Sequence, residues 1–126
     1  MILDADRISV CPRDDENLSS VWFYDSKQDY VLSLSRFVDE QDGTIEVMVR
    51  DQINQRAESL RVTLGIGDLH VELPPGLAAA LDGNRDYTVR FSSNDERLRG
   101  IEDALRNIFG GRPGLTVERT ASDPPR

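Results

Sequence analysis

Cysteine, histidine and lysine are nearly absent from this chain of 126 residues: Cys11, His70 and Lys27 are each the sole residue of their type. One cysteine excludes an intramolecular disulfide and any cysteine-based zinc cluster. One histidine leaves little material for acid–base catalysis. Aromatic residues make up only 6%. Apolar runs are short, Leu77–Leu81 being among the longest, whereas a membrane span needs about 20 apolar residues. The opening Met1-Ile2-Leu3-Asp4-Ala5-Asp6-Arg7 has neither the basic start nor the apolar stretch of a secretion signal. The expectation is a soluble protein without a membrane partner, made and kept in the cytoplasm.

Positive charge is also in short supply. Fifteen basic residues face 23 acidic ones, for a net charge of −8. Such a field repels phosphate backbones, so no nucleic-acid partner is expected. It would draw in a basic protein from a distance. All cations except Lys27 are arginine, which we read as genome composition. What the chain does contain is core material: Leu, Ile, Val and Phe are just over a quarter of it, above the range of disordered chains.

From Tyr30 to Phe91 the apolar residues recur at every second position, the mark of half-buried strands. Tyr30, Leu32 and Leu34 share one face, as do Ile45, Val47 and Val49, then Leu60, Val62 and Leu64, then Leu69, Val71 and Leu73, and finally Tyr87, Val89 and Phe91. The Gly65-Ile66-Gly67-Asp68 link predicts a hairpin in which Leu64 pairs with Leu69, Val62 with Val71 and Arg61 with Glu72. Residues 7–11 and 21–24 are further strand candidates. Residues 52–58 are polar and aperiodic, which predicts a loop. Residues 115–118 could add a last short strand.

One long helix closes the pattern. Ser93-Asn94-Asp95-Glu96 fits a capping box with Ser93 as the cap. Leu98, Ile101, Leu105, Ile108 and Phe109 form one stripe, and Gly110-Gly111 followed by Pro113 supplies the stop. A one-faced sheet and a one-striped helix bury each other. The predicted fold is therefore α+β: a mostly antiparallel, meander-like sheet of about five to seven strands with one C-terminal α-helix packed on one face. Residues 1–119 would form a single domain and 120–126 a frayed tail.

No catalytic set, cofactor motif or metal-ligand set stands out. His70, between Leu69 and Val71, is expected on the outer face beside Thr63 as an ordinary exposed histidine. Cys11 is expected to be buried and inert. Gly65-Ile66-Gly67 is followed by a strand, so it lacks the helix N-terminus that a dinucleotide fingerprint needs. Asp14, Asp15 and Glu16, and Asp39, Glu40 and Asp42, have no structural duty visible in the sequence. Trp22-Phe23-Tyr24 is an aromatic run in which alternation turns Phe23 away from its neighbours.

Asp29-Tyr30-Val31-Leu32-Ser33-Leu34-Ser35-Arg36 followed by Asp39-Glu40-Gln41-Asp42 resembles the early block of the immunity protein 10 family. Ile45-Glu46-Val47 with Asp51-Gln52, the hairpin 60–73, the strand 87–91 and the ending Leu105-Arg106-Asn107-Ile108-Phe109-Gly110 are similar to that family's later elements. The resemblance implies an immunity protein of a bacterial polymorphic toxin system, one that binds and neutralises a toxin, and it carries no assigned binding residue. Together with the charge it predicts a non-enzymatic inhibitor of a cognate toxin, with a basic nuclease-type toxin as the candidate partner. The candidate contacts are Asp14, Asp15, Glu16, Trp22, Asp39, Glu40 and Asp42. A homodimer through an open sheet edge is a further expectation. The alternative is an acidic chaperone or adaptor for a secreted effector, a class that usually begins with an amphipathic helix. A small enzyme using paired carboxylates would need distant Asp and Glu residues to meet in a cleft.

Overall fold

The computed structural model describes residues 1–38, 44–50, 53–92 and 94–118. The alternation read from the sequence folds into two sheets that share one apolar core. β1 (Ile2–Asp4) belongs to the second of them. The first consists of β2 (Arg7–Cys11), β3 (Leu18–Asp25), β4 (Tyr30–Phe37), β5 (Ile45–Val49) and β6 (Ile53–Ala57), each antiparallel to the next in a simple meander. The second is built on β7 (Arg61–Leu64), β8 (Asp68–Glu72) and β9 (Asp86–Arg90), again antiparallel. β1 pairs parallel with β9, and β10 (Leu115–Val117) pairs parallel with β7. These two short strands cover the edges that the three-stranded centre would otherwise leave open. The short helix α1 (Pro75–Ala80) lies between β8 and β9, and α2 (Asp95–Phe109) between β9 and β10.

The α+β class with one long C-terminal helix holds, but among the described residues ten strands in two sheets replace the expected five to seven. Part of the surplus comes from residues 53–57, which are strand β6 and not loop. β6 is an edge strand in which only Ala57 is buried, so no apolar period marks it. β1 is three residues long, too short for alternation to register.

The predicted hairpin register is the observed one, with Leu64 opposite Leu69, Val62 opposite Val71 and Arg61 opposite Glu72. Inward-facing Val21, Phe23, Leu32, Leu34 and Val47 meet Val62, Leu69, Val71, Tyr87 and Val89 of the other sheet in one core. α2 packs against β2, β3 and β4 and reaches β10. Its stripe is as predicted: Leu98, Ile101, Leu105, Ile108 and Phe109 are all buried. The cap is Asn94 rather than Ser93, its side chain accepting from the Arg97 amide at 2.8 Å. Ser93 lies outside the described residues. No described helix is long and apolar enough to cross a membrane.

Gly114 controls the entry into β10. Its φ is +120°, and a Cβ there would overlap the Leu60 carbonyl oxygen. Its own carbonyl accepts from the Val62 amide at 2.8 Å. Only glycine fits both the backbone angle and the space. Gly114→Ala is expected to cost about 2 kcal/mol, read as a lower urea midpoint with an unchanged m value.

Candidate functional site

The inner face of the meander sheet is filled by core side chains and α2. Its outer face is open. Strand alternation places Trp22 and Tyr24 there, with Phe23 turned inward and buried. The Trp22 and Tyr24 rings stack with centroids 5.8 Å apart and planes 19° from parallel. The Tyr24 hydroxyl donates to Asp29 Oδ1 at 2.8 Å, and that bond holds the phenol above its ordinary pKa.

Across the sheet, Ser9, Trp22, Ser33 and Met48 stand in one row, and Ser20, Ser35 and Glu46 in the next. With Leu18 they line a shallow groove of about 580 Å³. Small serines on both sides of a large aromatic leave the indole half exposed. The period of two already implied that Trp22 and Tyr24 share a face with Ser20. That Ser9, Ser33, Ser35 and Met48 frame them depends on inter-strand register, which one strand's sequence does not contain.

The predicted acidic contacts fare unequally. Asp14 has a structural duty after all: its Oδ1 accepts from the Glu16 amide at 2.8 Å and the Leu18 amide at 2.9 Å, closing the β2–β3 turn. Asp15 and Glu16 are exposed on the same turn. Asn17 in that turn accepts the amide of Val38 at 2.8 Å, tying it to the end of β4. Asp39, Glu40 and Asp42 lie outside the described residues. Cys11 is half-buried at the end of β2, not fully buried as expected.

Two further groups of polar side chains gather elsewhere. An open groove of about 930 Å³ is lined by Asp4, Asp6, Ser26, Asp68, Arg90 and neighbours. Two of its carboxylates are engaged by neighbours in the groove. Arg90 Nε donates to Asp4 Oδ1 at 2.8 Å, and Asp6 accepts both the amide (2.8 Å) and the hydroxyl (2.6 Å) of Ser26. Those two bonds hold the Asp6 carboxyl below its ordinary range. The serine meets a carboxylate with no imidazole between them, since His70 is not among the lining residues. Nucleophilic catalysis wants a base in that position.

Where the sheets meet, the Tyr30 and Tyr87 hydroxyls both donate to Asp82. Arg50 Nε lies 3.6 Å from the same carboxylate. Burial alone would raise the Asp82 carboxyl, but the hydrogen bonds from Tyr30, Tyr87 and Asn84 outweigh it and hold the group below its ordinary value.

His70 is exposed on the outer face of the second sheet beside Thr63, as expected. It is not isolated, however. Glu72 shares its side of β8, and Asp86 stands opposite Glu72 on β9. Comparison with protein-family models, curated proteins and solved structures gives no match for the chain.

Proposed function

We propose that the chain is a non-enzymatic immunity-type protein that binds a cognate bacterial toxin as a stoichiometric complex and neutralises it. The observation that carries this reading is the uncovered outer face of the meander sheet, where Trp22 stacks on Tyr24 in a groove framed by small hydroxyl side chains. A half-exposed, prearranged indole is the kind of anchor on which interface energy concentrates. It loses little conformational freedom when a partner covers it. The net charge of −8 selects a cationic partner, and a basic nuclease-type toxin has the complementary field. Asp15 and Glu16 supply local negative charge on the turn that leads into β3.

The chaperone alternative draws no comparable support. Residues 1–25 carry strands β1 to β3 where that class has its amphipathic helix, and 19% of the described residues are helical.

Co-expression with the toxin encoded next to this chain is expected to restore growth, and the purified pair to form a 1:1 complex. Association should slow by roughly tenfold between low and high salt while dissociation changes little. Trp22→Ala is expected to weaken the complex about thirtyfold, roughly 2 kcal/mol, without altering the melting temperature. No rescue of growth, or an association rate indifferent to salt, would sink the reading.

A further inference from the structure

The structure points to a divalent transition-metal site on the outer face of the second sheet, formed by His70, Glu72 and Asp86. His70 and Glu72 are two residues apart on β8 and therefore project to the same side. Asp86 of β9 is the register partner of Glu72. One ligand atom from each of the three lies within 4.8 Å of the other two, and His70 Nε2 is 3.4 Å from Asp86 Oδ1. Zinc holds nitrogen and oxygen ligands at about 2.0–2.2 Å, so tetrahedral ligands sit roughly 3.3 Å from one another. The His70–Asp86 separation already has that value. All three side chains are exposed, so Glu72 can close the remaining gap by a rotamer change.

Two carboxylates directly opposite each other in a strand pair repel. At present the Arg61 guanidinium partly offsets that repulsion, 3.9 Å from Glu72. Arg61 is 81% exposed at its side chain, and such pairs contribute little, so a bound dication displaces it readily. An imidazole with two carboxylates suits zinc or a neighbouring first-row ion. Calcium wants six or more oxygens, which three side chains on a flat sheet do not supply. Three protein ligands leave a fourth position for water or for a donor from a partner.

The sole histidine of the chain makes a direct test available. The full-length protein is titrated with zinc chloride at pH 7.5, following the His70 ring proton resonances by NMR and the heat of binding by calorimetry. The expected result is one zinc per chain in the micromolar range, with the His70 signals shifting or broadening in step with the heat. Cys11→Ser, in the other sheet, should leave the affinity unchanged. His70→Ala should weaken binding at least tenfold, and Glu72→Gln and Asp86→Asn at least threefold each. A tenfold excess of calcium should not compete. Unmoved His70 signals at millimolar zinc, full-strength binding by any of the three ligand variants, loss of binding in Cys11→Ser, or displacement by calcium would overturn the site.

Discussion

Asp82→Ala should lose about 4 kcal/mol of folding stability, the largest effect expected from any single polar substitution in this chain. The carboxylate accepts the Tyr87 hydroxyl at Oδ1, at 2.7 Å, and the Tyr30 hydroxyl at Oδ2. The two phenolic oxygens are 3.0 Å apart, and both tyrosines are buried. Tyr30 comes from β4 of the meander and Tyr87 from β9 of the second sheet. Asp82 therefore clamps the two sheets at one point. Removing it leaves two buried hydroxyls with one hydrogen bond between them, so at least one donor has no acceptor. An unsatisfied buried donor costs about 1–3 kcal/mol. The lost charge-assisted bonds and the Arg50 ion pair account for the rest. Asp82→Asn keeps a carbonyl acceptor and should cost about half as much. A double-mutant cycle between Tyr30→Phe and Asp82→Asn should show coupling above about 0.5 kcal/mol. Additive effects would mean that the clamp is only a contact.

The same clamp sets a pH signature. The Asp82 carboxyl is held below its ordinary value of 3.8 in the folded state, because the hydrogen bonds it accepts outweigh its desolvation. Its contribution is therefore complete above about pH 4 and is lost as the pH falls through the lower folded value. At the alkaline end the signs reverse. Burial, with the Asp82 hydrogen bond, pushes the Tyr87 phenol up to about 12, and burial raises the Tyr30 phenol further still. Both contributions are intact below pH 10 and fade as the pH rises towards the folded values. Urea midpoints measured across the range should fall at both ends. In Asp82→Asn the acid limb should flatten.

How much of this was legible in the sequence depends on whether a feature lies within one element or between two. The α2 stripe and the opposite facing of Phe23 are intra-element periodicities, and the hairpin register 61–72 is fixed across two strands by the short turn that joins them; all three match the expectation. β6 was invisible because an exposed edge strand has no buried face to imprint a pattern on it. The division into two sheets was invisible because alternation reports that a strand is half-covered, not what covers it. The Trp22 groove and the His70–Glu72–Asp86 group each need cross-strand neighbours. One such signal lies within a single strand: the period Tyr30, Leu32, Leu34 places Arg36 on the inward face. A charged residue at a core position has to find partners, and its location predicts that another element ends there.

That element is α2, and Arg36→Met should destabilise the fold by about 3 kcal/mol, lowering the melting temperature by roughly 10 °C for a chain of this size. Arg36 is 7% exposed. Its Nε donates to the Ile108 carbonyl at 2.6 Å and its Nη2 to the Asn107 carbonyl at 2.9 Å. These are among the last carbonyls of α2, which lack partners within the helix, and the guanidinium also meets the negative end of the helix dipole. Gly110 makes the approach feasible: it takes the left-handed cap at φ +58°, and a Cβ there would overlap Nη2. Ser19, the register partner of Arg36, donates to the Ala104 carbonyl one turn earlier. Methionine matches the volume, and replacing a buried charge by an apolar residue is often neutral when both partners of an ion pair are removed together. Here the described α2 partners are backbone carbonyls, which no substitution removes, so they stay buried without their donors. Arg36→Lys keeps the charge but not the fork, and should recover about half of the loss. A methionine variant as stable as the parent would mean that water or the helix itself can satisfy those carbonyls, and α2 would then be held to the sheet by its apolar stripe alone.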